Sequence, residues 1–533
     1  MKKCHFLLLI CAATAAAFAA ANDKPDWDAL GKRWWAHVQF LADDKLEGRE
    51  TGSEGFNKAA AYVAAEFEQA GLQPAGTSVY FQPVEFVARR IDEANSRLEL
   101  VRGTKAETVT FGEEAFFHLG PDAAEQAEAE AVFVGYGLAI PEAHHDDYAG
   151  LDLRGKIAVF LSGGPASIPG PLLAHYQSSG ERWKMLQKAG AIGLAVIRNP
   201  KSMDTPWSRV ASSRLEPSMD LAETALQDTK GLRLAITINP AHADKFLEGS
   251  GHTFAEILAA ANAEKPLPHF PLGASFRARQ AVKRWRVESK NIAGLLSGSD
   301  AKLKDEVVIL SAHLDHLGVG APVSGDSIYN GAMDNASGVA SLVEIARALH
   351  ESGMRTRRSI LFLAVTGEEK GELGSQYFAA HPTIASKNIV ADINMDMYLP
   401  LFPLKFLEVQ GLGESTLGED IRAVAEKAGV QVQADKQPAR NRFIRSDQYS
   451  FIKRGVPALA FKFGWLPGTP QEKIFNDWLT TRYHAPSDDA NQPVDAAAAA
   501  QFNAILLHLA ERVANAPERP HWNADSFFRR FAQ

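Results

Sequence analysis

The sequence predicts an α/β protein with a largely parallel central sheet. Three observations carry this. First, short apolar runs that read as buried strands, at 291–296, 307–310, 360–365, 389–394, 406–410 and 458–463, alternate with segments of helical spacing at 336–350, 417–428, 446–453 and 496–513. Second, the segment after Asp334 puts Val339, Leu342, Val343, Ile345, Ala346 and Leu349 on one stripe, the pattern of a helix packed on a sheet. Third, imidazole and carboxylate side chains gather where the runs stop. His313, Asp315 and His316 follow one run, Glu368 and Glu369 follow another, and Asp334 sits in a Gly/Asn loop between them. The carboxyl ends of strands are where open α/β sheets bind ligands.

Size and charge set the outer limits. The chain has 533 residues, 46% apolar and 23% charged, too many for one core, so at least two domains are expected. A formal net charge of −8 without a basic run gives no reason to expect a nucleic-acid partner. Residues 1–21 read as a signal peptide: Lys2 and Lys3, a short apolar run from Phe6 to Ile10, then alanines with two small-residue cleavage signals before Asn22. A buried N-terminal helix is the alternative. The run is too short to span a membrane well, and no later stretch reaches that length. Both cysteines, Cys4 and Cys11, fall inside it, so the mature chain would have neither disulfides nor thiolate ligands. Cys11 as a lipid attachment site is disfavoured by Ile10, which stands where such sites carry a small residue. The expected location is periplasmic or secreted.

In chain order, 27–71 opens with the polar loop LADDKLEGRETGSEG and then a helix carrying Ala59, Val63, Ala64 and Phe67 on one face; extended segments follow at 79–87 and 96–101. From about Glu107 to Ser275 the texture changes. AVFVGYGL, KIAVFLSGG and AIGLAVI are short apolar strands with Gly-rich ends, and 181–189 reads as a helix. The stretch 199–221 is polar and reads as a long loop, 232–238 as a strand, and 241–247 and 253–261 as helices. His144, His145, Asp146 and Asp147 are its tempting cluster; a solvated loop is the preferred reading. The tail, 517–533, sets Trp522, Phe527, Phe528 and Phe531 among Arg and Pro, to dock on the body or on a partner.

The residue types at the strand ends suit a divalent metal. Imidazole and carboxylate are zinc ligands, and a pair of metals needs a carboxylate with two oxygens to share. His313, Asp315, Asp334, Glu368, Glu369 and Asp396 are candidates, with His484 in the turn-rich loop Tyr483-His484-Ala485-Pro486-Ser487-Asp488. Taken singly, a loop histidine is a surface residue and a Glu-Glu pair a solvated face; their joint occurrence at ends of separate strands is what raises a metal site.

Five motifs in order, SAHLDHLG, GAMDNASGVA, TGEEKGELGS, NMDM and YHAPSDD, resemble the M28 family of di-zinc exopeptidases. LADDKLEGRETG resembles the start of its bacterial secreted members. VFVGYGL, DDYAGLDLRGKIAVF and KAGAIGLAVI resemble an inserted protease-associated (PA) domain. The resemblance implies a zinc-exopeptidase (phosphorylase/hydrolase-like) three-layer sandwich plus an inserted mainly-β PA domain. The division would be a signal peptide at 1–21, peptidase-domain parts at 22–106 and 276–516, a PA domain at 107–275, and the tail at 517–533. It implies two Zn²⁺ ions: His313 and Asp396 on one, Glu369 and His484 on the other, Asp334 bridging. Glu368 would be the general base, Asp315 would orient His313, Tyr483 would donate to the developing oxyanion, and the Asp334–Asn335 peptide would be cis. One departure stands out: Gln448 replaces the histidine that usually follows Ser-Asp. Arg440, Arg442 and Arg445 precede it, as a carboxylate clamp or a solvated basic loop. The implied activity is removal of N-terminal residues from peptide substrates. The alternatives are a carboxypeptidase or dipeptidase of the same site chemistry, a glutaminyl-cyclase-like acyl transferase with one zinc, and an inactive binding homologue.

Overall fold

The computed structural model describes residues 25–203, 205–440 and 442–532. The expected signal peptide and both cysteines lie outside the described residues. Two sheets organise the chain. The centre of the larger one runs Ser359–Val365, Val307–His313, Ile389–Asn394 and Ala458–Phe463, in that spatial order and parallel throughout. Every residue of these four strands is buried, which is why they read as unbroken apolar runs. Side-chain alternation divides them between two cores. Val308, Leu310, Ile360, Phe362, Ala391 and Ile393 face Trp34, Phe56, Val63, Phe67, Val339, Leu342 and Phe502 of the helices Trp27–Leu41, Glu54–Gln69, Ser337–Ser352 and Ala496–Asn515. Val307, Ile309, Leu361, Leu363 and Val365 face Phe378 and Phe451 of Leu373–Ala380 and Gln448–Ile452.

The larger sheet is mixed rather than mostly parallel. Val282–Leu296 runs antiparallel to Ser359–Val365 and to Phe81–Ile91, and Ser218–Leu221 adds antiparallel outside that. On the other side Phe406–Gln410 is antiparallel to Ala458–Phe463, with Gln431–Ala434 parallel to it at the edge. The physical reason lies in the flanking strands. Phe81–Ile91 alternates buried and accessible positions, and 282–288 is polar and accessible, the habit of antiparallel strands with one wet face. Apolar runs reveal only the ends of these strands, at 79–87 and 291–296; the charged stretch Lys283–Glu288 hides the rest.

The second, eight-stranded sheet has its own apolar core and the order Lys105–Thr108, Arg97–Arg102, His269–Arg279, Gln126–Val134, Ile157–Leu161, Gly193–Ile197, Leu234–Ile238, Ala115–Phe117. It begins at Arg97 and ends at Arg279, so its first strand, Arg97–Arg102, lies ahead of the change in texture. The two connections to the larger sheet run side by side: Asp92 N–H donates to Ala281 O at 2.8 Å and Ala281 N–H to Ser96 Oγ at 3.0 Å. Asp147 is buried rather than solvated. It accepts N–H bonds from Tyr136 and Leu138 at 3.1 and 3.0 Å, with His145 Nε2 at 3.0 Å, so it closes a turn.

The stretch 199–221 is not a plain loop. It holds the helix Trp207–Ser212 and the strand Ser218–Leu221, which leaves the second sheet's domain to join the larger sheet beside Phe81–Ile91. Short length and polar residues hide both elements from a periodicity reading. Among the described residues, no helix is long and apolar enough to cross a membrane.

The tail docks on the body. Trp522 and Phe528 are buried in a cluster with Ala174, Ile444, Tyr449, Ile452 and Ala458. Trp522 Nε1 donates to Gly455 O at 2.9 Å, and Arg530 pairs with Glu142 of the second domain. Trp522→Ala is expected to destabilise the fold by about 3–5 kcal/mol, read from urea unfolding; a loss under about 1 kcal/mol would show that this packing is not needed.

Candidate metal centre

The site is built on strand register. His313 ends Val307–His313 opposite Val365, and Ser311 stands opposite Asn394. The carboxyl ends of the three strands therefore form one rim. Glu368 and Glu369 turn off it after Gly367, whose φ of +68° is the left-handed conformation glycine accepts. Asp396 leaves it two residues after Asn394. Asp334 approaches from the loop before Ser337–Ser352, and His484 from the loop after Pro470–Thr481.

Asp334 lies between the two imidazoles. Its Oδ1 is 3.3 Å from His313 Nε2, and its Oδ2 is 3.3 Å from His484 Nε2. His313 Nε2 is also 3.5 Å from Asp396 Oδ1, and His484 Nε2 is 3.3 Å from Glu369 Oε2. The five residues fall into two groups that share Asp334. About 3.3 Å is the edge of a tetrahedron whose centre lies about 2.0 Å from each corner, the zinc–ligand bond length. His313 Nε2, Asp396 Oδ1 and Glu369 Oε1 are buried without a well-formed hydrogen bond among the described residues. Single donor atoms of His313, Asp334 and Glu369 lie within 4.8 Å of one another.

The electrostatics fit a bound cation. Burial pulls the His313 imidazole down, but Glu368, Asp334 and Asp396 outweigh it and hold it well above the usual range. Burial likewise lowers His484, and Tyr483, Glu369 and Asp334 push it well up. Burial raises Asp334, and the two imidazoles bring it well below an ordinary carboxylate. Burial raises Glu368, and Asp396, Glu369 and Asp447 add to that, so it stays far above the usual carboxylate range despite His313. Buried acids at this density need positive charge among them.

The surroundings hold main chain as much as side chain. Asp315 is the residue expected to orient His313, and it is its main-chain carbonyl that faces His313 Nδ1, at 3.1 Å. Its carboxylate accepts the N–H groups of Glu368 and Glu369 at 3.2 and 3.4 Å and the Thr51 hydroxyl at 2.9 Å. It therefore fixes the Glu368–Glu369 turn: two orphan N–H groups there need an acceptor, and a buried carboxylate needs donors. Asp488 does the same for the Asp334 loop, accepting from Met333 N and Asp334 N at 2.9 and 3.0 Å. The Asp334–Asn335 peptide is cis. Asn335 Nδ2 donates to Met395 O at 2.9 Å, and its Oδ1 accepts from Gly338 N at 3.0 Å, tying the Asp334 loop to the Asp396 loop. His316 Nδ1 is 2.6 Å from Glu369 Oε1.

Two buried cations serve carbonyls. Arg49 donates to the oxygens of Leu314, Asn330 and Gly331 at 2.9, 2.7 and 3.0 Å, and to Leu41 O; burial brings it down to about 10. Lys462 Nζ donates to Asp396 O at 2.8 Å. Sequence reasoning missed Arg49, Asn335, His316, Lys462 and Asp488 as site residues, although all but Lys462 lie inside or beside quoted motifs. Gln448 is buried. Its Oε1 accepts from Asn394 Nδ2 at 2.6 Å and its Nε2 donates to Phe443 O at 3.0 Å, so the departure sits in the framework behind Asp396. Tyr483 stacks on the His484 ring, centroids 3.9 Å apart.

Comparison with known proteins bears on the family and the fold. A family model described as "Peptidase family M28" matches residues 291–510, the span holding His313, Asp334, Glu368, Glu369, Asp396 and His484. "Carboxypeptidase Q" of Xenopus laevis is 32% identical over 123 residues, 23% of this chain and 24% of that protein. "Aminopeptidase YwaD" of Bacillus subtilis is 29% identical over 204 residues, 38% and 39% of the two chains. The chain thus spans about a quarter to two fifths of the length of these curated relatives. The solved structure of an aminopeptidase from Aneurinibacillus sp. strain AM-1 superposes with a TM-score of 0.55 over 92% of this chain and 95% of that one, at 21% identity, a likeness of mixed α/β fold. With family motifs, fold and a zinc-type ligand set in one place, the chain carries a domain of peptidase family M28 over residues 291–510.

Proposed function

We propose that the protein is a secreted or periplasmic zinc exopeptidase that removes N-terminal residues from peptides. The observation that carries this is the division of Asp334, one oxygen toward His313 and the other toward His484. His313 and Asp396 would hold one Zn²⁺ ion, Glu369 and His484 the other, and Asp334 would bridge them. Bound there, zinc supplies a Lewis acid for the scissile carbonyl and lowers the pKa of the attacking water.

The chain's own groups do the rest. Glu368, ionised beside the bound cations, takes the proton of the attacking water and returns it to the leaving amine. Asp315 holds the Glu368 N–H so that this carboxylate stays in reach. Tyr483, beside His484, donates to the oxygen on which negative charge develops. In this reading a free α-ammonium group binds beside Glu216, whose charge is coupled to those of Glu369 and His484.

The second sheet, in this reading a PA domain, shapes the entrance. Its Arg209 donates to Tyr483 O at 2.7 Å and Thr480 O at 3.2 Å, so the inserted segment holds the His484 loop. The complete five-residue ligand set speaks against a one-zinc acyl transferase and against an inactive homologue.

Three measurements test the reading. Hydrolysis of aminoacyl anilides and free dipeptides should be abolished by chelator and by N-acetylation; cleavage indifferent to acetylation would make it a carboxypeptidase. Glu368→Gln should keep both zinc ions by elemental analysis and lose about 10²–10⁴-fold in kcat; near-normal turnover would remove it as the base. Asp334→Ala should lose zinc from both positions, and full zinc occupancy in that variant would sink the bridging role.

A further inference from the structure

We propose that the small cavity on the Asp396 side of the centre is a carboxylate-recognition pocket, and that favoured substrates carry a carboxylate into it. The proposal rests on the exopeptidase reading and names the substrate class of that site. The cavity measures about 60 Å³, and its lining includes Arg442, Arg445, Lys462, Ser446, Gln448 and Tyr483 beside Asp396. Three cationic side chains and neutral polar groups therefore face a space that abuts the metal centre. Asp396, the acid in the lining, belongs to that centre.

Two of the cations are held from behind by neutral oxygens. Lys462 is buried and donates to the main-chain oxygen of Asp396; an ammonium has three donors. Arg442 donates through Nη2 to Gln437 Oε1 at 2.8 Å, and its guanidinium lies 5.7 Å from the Phe475 ring centroid. It is half-buried rather than part of a solvated basic loop, and Glu408 and Asp435 are the acids whose charge it feels. Neither of those acids lines the cavity.

Cations gathered around one cavity repel one another until an anion joins them. A carboxylate fits best, because it accepts a planar guanidinium through two parallel bonds. The cavity volume suits a short carboxylate-bearing group rather than a ring. Such a carboxylate has two sources: an acidic side chain on the N-terminal residue, or the C-terminal carboxylate of a dipeptide.

The test uses the zinc-loaded full chain and two matched pairs: glutamyl against glutaminyl p-nitroanilide, and Ala-Ala against Ala-Ala amide. At least one carboxylate member should exceed its neutral partner by about tenfold or more in kcat/KM. That ratio should fall toward one in Arg442→Gln and recover in part in Arg442→Lys. A glutamyl preference assigns the side chain, and an Ala-Ala preference assigns the C-terminal carboxylate. Turnover with both ratios near one would overturn the pocket and leave the exopeptidase reading standing. Hydrolysis of none of the four would overturn that reading and the pocket's role with it. A preference that survives both Arg442→Gln and Lys462→Met also overturns the assignment. The wild-type ratios need no variant, so the test holds even if one fails to fold.

Discussion

Buried acid at the ends of parallel strands is the constraint on which this structure turns. Asp334, Glu369, Asp396 and Glu368 crowd two imidazoles at the rim of a sheet whose central strands are wholly buried. Like charges in such a place repel, and each has lost its water. The arrangement is tolerable only if positive charge sits among them and if every nearby main-chain group is otherwise satisfied. The first condition is the requirement for metal. The second explains Asp315 and Asp488, which accept main-chain N–H groups beside Glu368, Glu369 and Asp334. It also explains Arg49, which collects carbonyls from the loops after His313 and before Asp334. Acid and guanidinium together work as a rigid frame for backbone that is neither helix nor strand.

Register accounts for the rest of the placement. Parallel neighbours bring their carboxyl ends level, so His313, the Glu368–Glu369 turn and Asp396 meet without any long-range instruction beyond strand order. Asp334 and His484 come in from loops. Both loops are bound back to the frame, the first through Asp488 and Asn335, the second through Arg209 of the inserted segment.

What was legible in the sequence follows from what leaves a local signal. The central strands are apolar runs and the helices around them are periodic, so both could be read. The residues around the candidate metal centre stand in contiguous motifs and could be read with them. Phe81–Ile91 and Val282–Leu296 were half visible because one face of each is wet. Ser218–Leu221 was hidden because four residues in a polar stretch carry no period. For Asp315, spacing of two residues does not say whether carbonyl or carboxylate turns toward His313. Arg49 and Lys462 could not be found at all, since a lone cation in sequence gives no hint that folding will bury it against carbonyls. The distinction between a solvated basic loop and a charged pocket wall at Arg442 is likewise decided by tertiary burial.

The two sheets are fastened at separated points. The inserted segment sends Ser218–Leu221 into the larger sheet, where Asp220 pairs with the buried Arg89. Burial raises Asp220 to about 6 against the pull of Arg89, so the pair sits in a poorly solvated environment. Elsewhere the tail packs Phe528 against Tyr449 and reaches Glu142 through Arg530, and His175 meets the Tyr449 hydroxyl at 2.7 Å. Swinging the second domain away would break a strand pairing, a buried ion pair and an aromatic cluster together. Each costs on the order of a kilocalorie per mole or more, and they cannot be broken one at a time by a rigid rotation. The second domain is therefore fastened to the larger sheet by several contacts that a rigid rotation would have to break together.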